Sequence, residues 1–166
     1  MSGASVTAAC ASGGFSYMGH AAMGLGLTIS AMSQDNPGGA SLKLSKYTSG
    51  YATLATTVSV LSENGTTATD LTGNLSPSLA YSSSNWSAGD YAVTGSGYSF
   101  ARPASTPAGP YDSFYIGAGV TDTDGAVLNG LDFKLGDPTC TVSCTHKLLS
   151  ASPTKIRFGR LRLENA

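Results

Sequence analysis

Two aspartates in the segment Asp122–Gly125 (DTDG) give this chain its clearest potential for metal chemistry. Asp122 and Asp124 place two carboxylates close together in a turn, and hard oxygen ligands of this kind suit Ca²⁺. The spacing does not match an EF-hand loop. Aspartates in β-turns also bond to their own backbone. A plain turn is therefore the favoured interpretation, and a Ca²⁺ site at Asp122 and Asp124 is the alternative; no other cofactor is expected.

The three cysteines form a second group with defined chemistry. Cys140 and Cys144 lie in the short segment CTVSC, where a disulfide would close a small loop. Cys10 is the third cysteine, and its pairing with either of the others would join the first strand to a late loop. We favour Cys140–Cys144, but the sequence leaves both possibilities open.

Aromatic side chains provide a third possibility, since their faces can bind sugars. Trp86 and Tyr111 are the glycan-contact candidates, and further tyrosines occur in predicted strands, at positions 91, 98 and 115. The alternative is ordinary packing of these rings between strands, which we favour. A carbohydrate-binding module is therefore one of the functions to test.

Signatures of catalysis are absent from the sequence. It contains no G-x-S-x-G, no P-loop, no G-x-G-x-x-G and no H-E-x-x-H. His146 follows the two late cysteines, but a fourth ligand for a metal site is missing. We therefore expect that the protein is not an enzyme.

Charge and composition exclude further classes. The net charge is −1 and only 11% of residues are charged, so nucleic acid is not expected as a partner. Arg157, Arg160 and Arg162 do cluster near the end of the chain, where they alternate with apolar residues. That alternation is typical of the solvent-facing side of a half-buried strand.

Cellular location can be predicted only from composition. Many glycines, serines and threonines with few charges are typical of exported β proteins. No apolar run is long enough to span a membrane, and no signal peptide opens the sequence. We expect residues 1–166 to be one domain, a fragment of a larger multi-domain exported protein.

Strand-length patterns alternate with turn signals along the chain. Ala22–Met32 and Tyr111–Asp122 alternate cleanly between apolar and small or polar residues. Asn64–Gly65 is a strong hairpin signal, and Ser41–Tyr47 is predicted as a short strand with Leu42 and Leu44 inward. No helical period is sustained. The pattern predicts an all-β fold, an antiparallel β-sandwich-like domain with long Ser/Thr/Gly-rich loops.

Three segments together resemble a known bacterial family. They are residues 10–33, which contain FSYM, residues 108–128, which contain GPYD and DTDG, and residues 156–166, which contain FGRLRLENA. In these motifs the chain is similar to a domain of unknown function found in MshQ-type proteins of the mannose-sensitive haemagglutinin (MSHA) type IV pilus system. The resemblance covers nearly the whole chain.

The resemblance implies a non-catalytic domain of a pilus-biogenesis or adhesion protein. Its partners would be pilus or envelope proteins, or surface glycans, and it would lie at the cell surface, on the outer membrane or on a pilus. The Gly159 region, where the apolar side of the last strand shifts by one residue, is predicted as a β-bulge. The alternative functions are those of a lectin-like module and of a structural subunit of an extracellular fibre.

Overall fold

The computed structural model describes residues 2–8, 14–33, 42–48, 54–76, 79–80, 85–102, 109–122, 130–149 and 152–158. These ranges contain twelve β-strands and one 3₁₀ turn at Thr72–Asn74. The strands are β1 (Ser2–Thr7), β2 (Phe15–Tyr17), β3 (Met23–Ser30), β4 (Leu54–Asn64), β5 (Thr69–Asp70), β6 (Leu75–Ser76), β7 (Leu79–Ala80), β8 (Trp86–Ser87), β9 (Asp90–Phe100), β10 (Tyr111–Asp122), β11 (Lys147–Leu148) and β12 (Thr154–Arg157). The predicted all-β class is confirmed.

The first sheet is built around the long strand β9. Its order is β1-β3-β9-β6, and β8 also pairs with β9. All these pairs are antiparallel, with Leu27 opposite Val93 at the centre of the β3–β9 ladder. Glycine and threonine alternate with leucine and isoleucine along β3, so one side of this strand is apolar and faces the core.

The second sheet is built around β10. Its order is β2-β12-β10-β4-β5, with β11 paired to β10 and β7 paired to β4. These pairs are antiparallel except for β2 and β12, which run parallel. The parallel pair brings the beginning of the chain beside its last described strand.

The core lies between the two sheets. Phe100 of β9 and Phe114 of β10 meet edge to face, with ring centroids 5.2 Å apart. The other buried side chains of this layer come from both sheets, among them Met23, Leu25, Leu27 and Ile29 from β3 and Ile116, Ala118, Val120 and Ile156 from β10 and β12. This arrangement is a β-sandwich.

The apolar alternation predicted two of the long strands, β3 and β10. Ala22–Met32 contains the observed β3, and Tyr111–Asp122 coincides with β10. The Asn64–Gly65 signal lies in the turn between β4 and β5, as predicted. Leu42 and Leu44 were predicted to face inward on a strand, and this prediction is wrong. Both side chains are exposed, and Lys43 between them forms only an isolated bridge to Met32.

Two remaining sequence predictions concern the β-bulge at Gly159 and the membrane-spanning segments. The β-bulge at Gly159 lies outside the described residues. Within the described ranges, no helix has the length and apolar character needed to cross a membrane.

Candidate functional site

Trp86 lies inside the protein. Only 6% of its surface is exposed, and its ring meets Tyr47 at 4.8 Å and Tyr91 at 5.8 Å between centroids. Strand β8 sets this position by pairing Trp86 with Tyr91 of β9. The indole therefore packs between aromatic neighbours, which is the alternative that the sequence favoured, and its faces are not open to a sugar.

The tyrosines considered with Trp86 are also buried or half-buried. Tyr91 and Tyr98 belong to the core, and Tyr115 is half-buried. Tyr111 is half-buried as well and packs edge to face on Phe100, with centroids 5.8 Å apart. These rings support the sandwich and do not form an open platform.

The Ca²⁺ candidates lie largely outside what the structure describes. Asp122 ends β10, but the position of its side chain is not described, and Asp124 falls outside the described ranges. Within those ranges, no group of three or more His, Cys, Asp or Glu side chains is placed to hold a metal ion. The Ca²⁺ site stays a prediction.

Cys140 and Cys144 form a disulfide, with their Cα atoms 5.7 Å apart. This is the pairing that the sequence favoured, and Cys10 lies outside the described residues. The disulfide belongs to residues 130–149, which include β11 and pack through Phe133 and Gly136 on Gly117 and Glu63 of the second sheet. We call this segment the disulfide cap.

Phe133 anchors the disulfide cap to the sheet. Its ring is fully buried, and it is bridged through the backbone to His146. A Cβ atom on Gly117 of β10 would lie 2.2 Å from the Phe133 ring, so the ring requires a glycine beneath it. Burial in this cap lowers the pKa of the His146 imidazole.

The disulfide cap also covers a carboxylate. Glu63 of β4 is fully buried, and its Oε2 atom accepts a hydrogen bond from the Gly136 backbone N–H at 2.5 Å. No hydrogen-bond partner reaches Oε1 in the described part of the chain. Glu63 is not part of any group of three or more His, Cys, Asp or Glu side chains that could hold a metal ion among the described residues.

Exposed aromatic side chains occur instead at the opposite end of β9 from Trp86. Tyr17 is 37% exposed and Phe158 is 36% exposed, and these two are the most exposed aromatic side chains among the described residues. Phe158 lies beneath the Arg102 guanidinium, and Tyr17 is the strand partner of Arg157. We call Tyr17, Arg102, Arg157 and Phe158 the aromatic–arginine corner.

Strands β2 and β12 set the outward direction of two members of this corner. Tyr17 is opposite Arg157 in the parallel ladder, while the preceding pair is Ser16 and Ile156. Ser16 and Ile156 are buried. Because neighbouring residues of a strand point to opposite faces, Tyr17 and Arg157 lie side by side on the outer face.

Backbone hydrogen bonds hold three chain segments together at the corner. Met18 N–H donates to the carbonyl of Arg157 at 2.9 Å, and Gly19 N–H donates to the carbonyl of Phe100 at 2.8 Å. The ends of β2, β12 and β9 therefore converge. This convergence brings Arg102, two residues beyond β9, next to β12.

Both arginines of the corner are held by a neighbour. A terminal Nη of Arg157 contacts an Asp112 carboxylate oxygen at 2.6 Å. The Arg102 guanidinium carbon lies 5.4 Å from the centre of the Phe158 ring, a cation–π arrangement. A guanidinium has five N–H donors in a planar fork, so these contacts with described residues engage only part of each group.

Close packing beneath the corner fixes the start of β10. Gly109 has a φ of +88°, and a Cβ atom there would lie 2.7 Å from Met18 Cε and 3.4 Å from the Tyr111 ring. Tyr111 in turn packs on Phe100. Tyr111 thus supports the corner from below and does not form its exposed surface.

The corner offers exposed rings and hydrogen-bond donors, which are groups that binding surfaces use. Sequence reasoning did not single out its residues as a site. Arg157 was noted only as part of a solvent-facing strand, and Tyr17 only within FSYM. In the sequence, Phe15 and Tyr17 alternate with Ser16, which was the available signal for a short strand. This signal does not reveal which strand pairs with β2.

Comparison with known proteins gives a family without an activity. No curated protein and no solved structure matches the chain significantly. Residues 1–147 match the family model described as DUF6701, third domain. Since the match spans most of the chain, this protein belongs to the DUF6701 family and contains its third domain.

Proposed function

We propose that this domain is a non-catalytic part of an exported bacterial surface protein and acts through protein or glycan contacts in pilus biogenesis or adhesion. The observation that carries the proposal is the aromatic–arginine corner. Aromatic and arginine side chains are enriched where proteins bind partners. Here they are exposed, whereas the other aromatic rings among the described residues are buried or half-buried.

Two features support export. The Cys140–Cys144 disulfide is of a kind that persists in oxidising compartments. The composition, rich in Gly, Ser and Thr and poor in charge, is that of many surface β proteins. A link to MSHA-type pili rests on the resemblance of the FSYM, GPYD and FGRLRLENA motifs alone.

The experiment follows the protein in its native cells. Pili are sheared from the surface and purified, and an antibody against this domain is used on the pilus, outer-membrane, periplasmic and cytoplasmic fractions. We expect the domain with the pili or the outer membrane. A minor amount on pili would indicate an adhesin, and a stoichiometric amount would indicate the competing role of a fibre subunit.

A chromosomal variant tests whether the aromatic–arginine corner is needed for adhesion or piliation. Tyr17→Ala combined with Arg157→Gln should reduce adhesion or the number of pili, with protein abundance unchanged. Lys46→Gln is the matched control, because Lys46 is an exposed cation in the 42–48 segment at the Trp86 end. Recovery of the domain in the cytoplasm alone, or unchanged adhesion and piliation in the double variant, would contradict the proposal.

A further inference from the structure

Strand β12 lies beyond the part of the chain that the family model matches. The match ends at residue 147, whereas β12 spans Thr154–Arg157. β12 is nevertheless an interior strand, because it pairs with β10 along one edge and with β2 along the other. Among the described strands, it is also the one that links β2 to the second sheet. Without β12, the family-matched region has an open cleft between these two strands, which we call the β2–β10 cleft.

The side chain of Ile156 fills this cleft on the core side. Ile156 is fully buried and belongs to the same apolar cluster as Phe114, and it lies opposite Tyr111 in the ladder with β10. Lys155 is exposed and Arg157 is only half-buried. Because neighbouring side chains of a strand point to opposite faces, a shift of β12 by one residue would turn Lys155 or Arg157 toward the core. The cleft therefore distinguishes one register of this segment from its neighbours.

Backbone and charge contacts fix the same register. In the parallel ladder Ser16 lies opposite Ile156, and the Met18 N–H donates a hydrogen bond to the Arg157 carbonyl at 2.9 Å. On the side of β10, a terminal Nη of Arg157 contacts an Asp112 carboxylate oxygen at 2.6 Å. When an extended peptide joins a sheet, main-chain hydrogen bonds provide affinity and the sites for alternate side chains provide specificity. The β2–β10 cleft supplies both.

We propose that the β2–β10 cleft is a strand-binding site whose ligand is the segment Thr154–Arg157, and that it binds this segment even as a separate peptide. The chemistry that it recognises is an extended peptide with a buried β-branched apolar residue followed by an arginine. The third domain is then complete only when chain from beyond residue 147 is docked in the cleft. This inference goes beyond the proposed function, because it concerns how the domain is closed and not what the aromatic–arginine corner binds.

The test uses the full chain with a cleavable connection. A protease recognition sequence is inserted at Ser152, an exposed residue between β11 and β12, and the folded protein is cut there. We expect the piece that contains β12 to stay bound during gel filtration, with the circular dichroism and the Trp86 fluorescence of the uncut chain. The cut protein is then denatured and refolded with an excess of a labelled peptide of residues 152–162, which should be taken up in place of the cut piece.

Peptide variants identify what the cleft recognises. Ile156→Asp should weaken uptake at least about tenfold, because it places a charge at a fully buried position. Lys155→Ile combined with Ile156→Lys keeps the composition but moves the apolar side chain to the outer face, and this peptide should fail in the same way. Lys155→Gln is the matched control. It removes an exposed charge, so it should be taken up as well as the unchanged peptide.

Three outcomes would overturn the inference. They are loss of the cut piece while the rest of the chain keeps its fold, refolding that takes up no labelled peptide, and equal uptake of the peptide with the two residues exchanged. If cutting unfolds the protein, an excess of the unchanged peptide has to restore the circular dichroism, and failure to do so contradicts the proposal. None of these outcomes bears on the proposed function, which depends on the fractionation and adhesion experiments.

Discussion

The two ends of β9 use the same kinds of side chain in opposite ways. Near Asp90, the rings of Tyr47, Trp86 and Tyr91 enclose one another, and the exposed apolar groups are aliphatic. Near Phe100, Tyr17 and Phe158 are left exposed beside two arginines. We therefore propose a binding surface only at the end of β9 where the fold leaves aromatic rings uncovered and supplies charged neighbours.

The difference has a local structural cause. At the Trp86 end, the segment that contains Tyr47 folds over the indole, and it is held there by a hydrogen bond from Gly89 N–H to the Tyr47 carbonyl at 3.1 Å. At the other end, β2 is the last strand of its sheet in the described part of the chain. An edge strand has one fewer neighbour to cover its side chains.

The largest expected effect comes from removing the enclosed ring. Trp86→Ala should lower the free energy of unfolding by about 3–5 kcal/mol, because it leaves a cavity between Tyr47 and Tyr91. Chemical denaturation followed by circular dichroism measures this. Leu42→Ala, at an exposed position of the same end, is the control and should change stability by no more than about 0.5 kcal/mol. A Trp86→Ala loss below about 1 kcal/mol would mean that the ring is not a packing element.

Sequence reasoning recovered the parts of this fold that depend on local periodicity. In β3 and β10, apolar residues alternate with small or polar residues over many positions, so the pattern predicts both strands well. The segment with Leu42 and Leu44 alternates over too few residues. It forms a turn and an isolated bridge, and both leucines are exposed.

The candidate site could not be predicted in the same way. Tyr17 and Arg157 come from opposite ends of the chain and meet because β2 pairs with β12 in parallel. No local signal specifies which strands become neighbours. The sequence also could not separate Trp86 from Tyr17, because exposure is decided by what packs over each ring and not by the ring itself.

An intermediate effect is expected from the ion pair at the Trp86 end. A hydrogen bond from Lys43 and another from Ser30 Oγ at 2.7 Å hold the pKa of Asp90 below its ordinary value of 3.8. Because the pKa of Asp90 is lower in the folded state, its ionised carboxyl stabilises the protein at pH values above the ordinary pKa of 3.8. This contribution is lost as the pH falls through the folded-state pKa. Because both side chains are well exposed, its size is limited to about 1 kcal/mol.

Asp90→Asn should therefore lower the free energy of unfolding near neutral pH by up to about 1 kcal/mol. At a pH low enough to protonate the wild-type carboxyl, the same substitution should cost less, because the interaction of Asp90 with Lys43 is then weakened. Denaturation of both proteins at the two pH values tests this. A cost that is independent of pH would show that the side chain acts here through packing and not through charge.

The smallest effect on stability should come from the exposed ring. Tyr17→Ala removes an edge-to-face contact with Phe15, whose ring centroid is 5.0 Å away, but Tyr17 is 37% exposed whereas Trp86 is 6% exposed. We expect a loss of no more than about 1 kcal/mol, several times smaller than for Trp86→Ala, in the same denaturation experiment. If this surface serves binding, Tyr17→Ala should weaken ligand binding while it leaves the stability of the domain nearly unchanged. If Tyr17→Ala destabilises the domain as much as Trp86→Ala does, the ring is a packing element, and the contrast between the two ends of β9 no longer supports a binding surface at the aromatic–arginine corner.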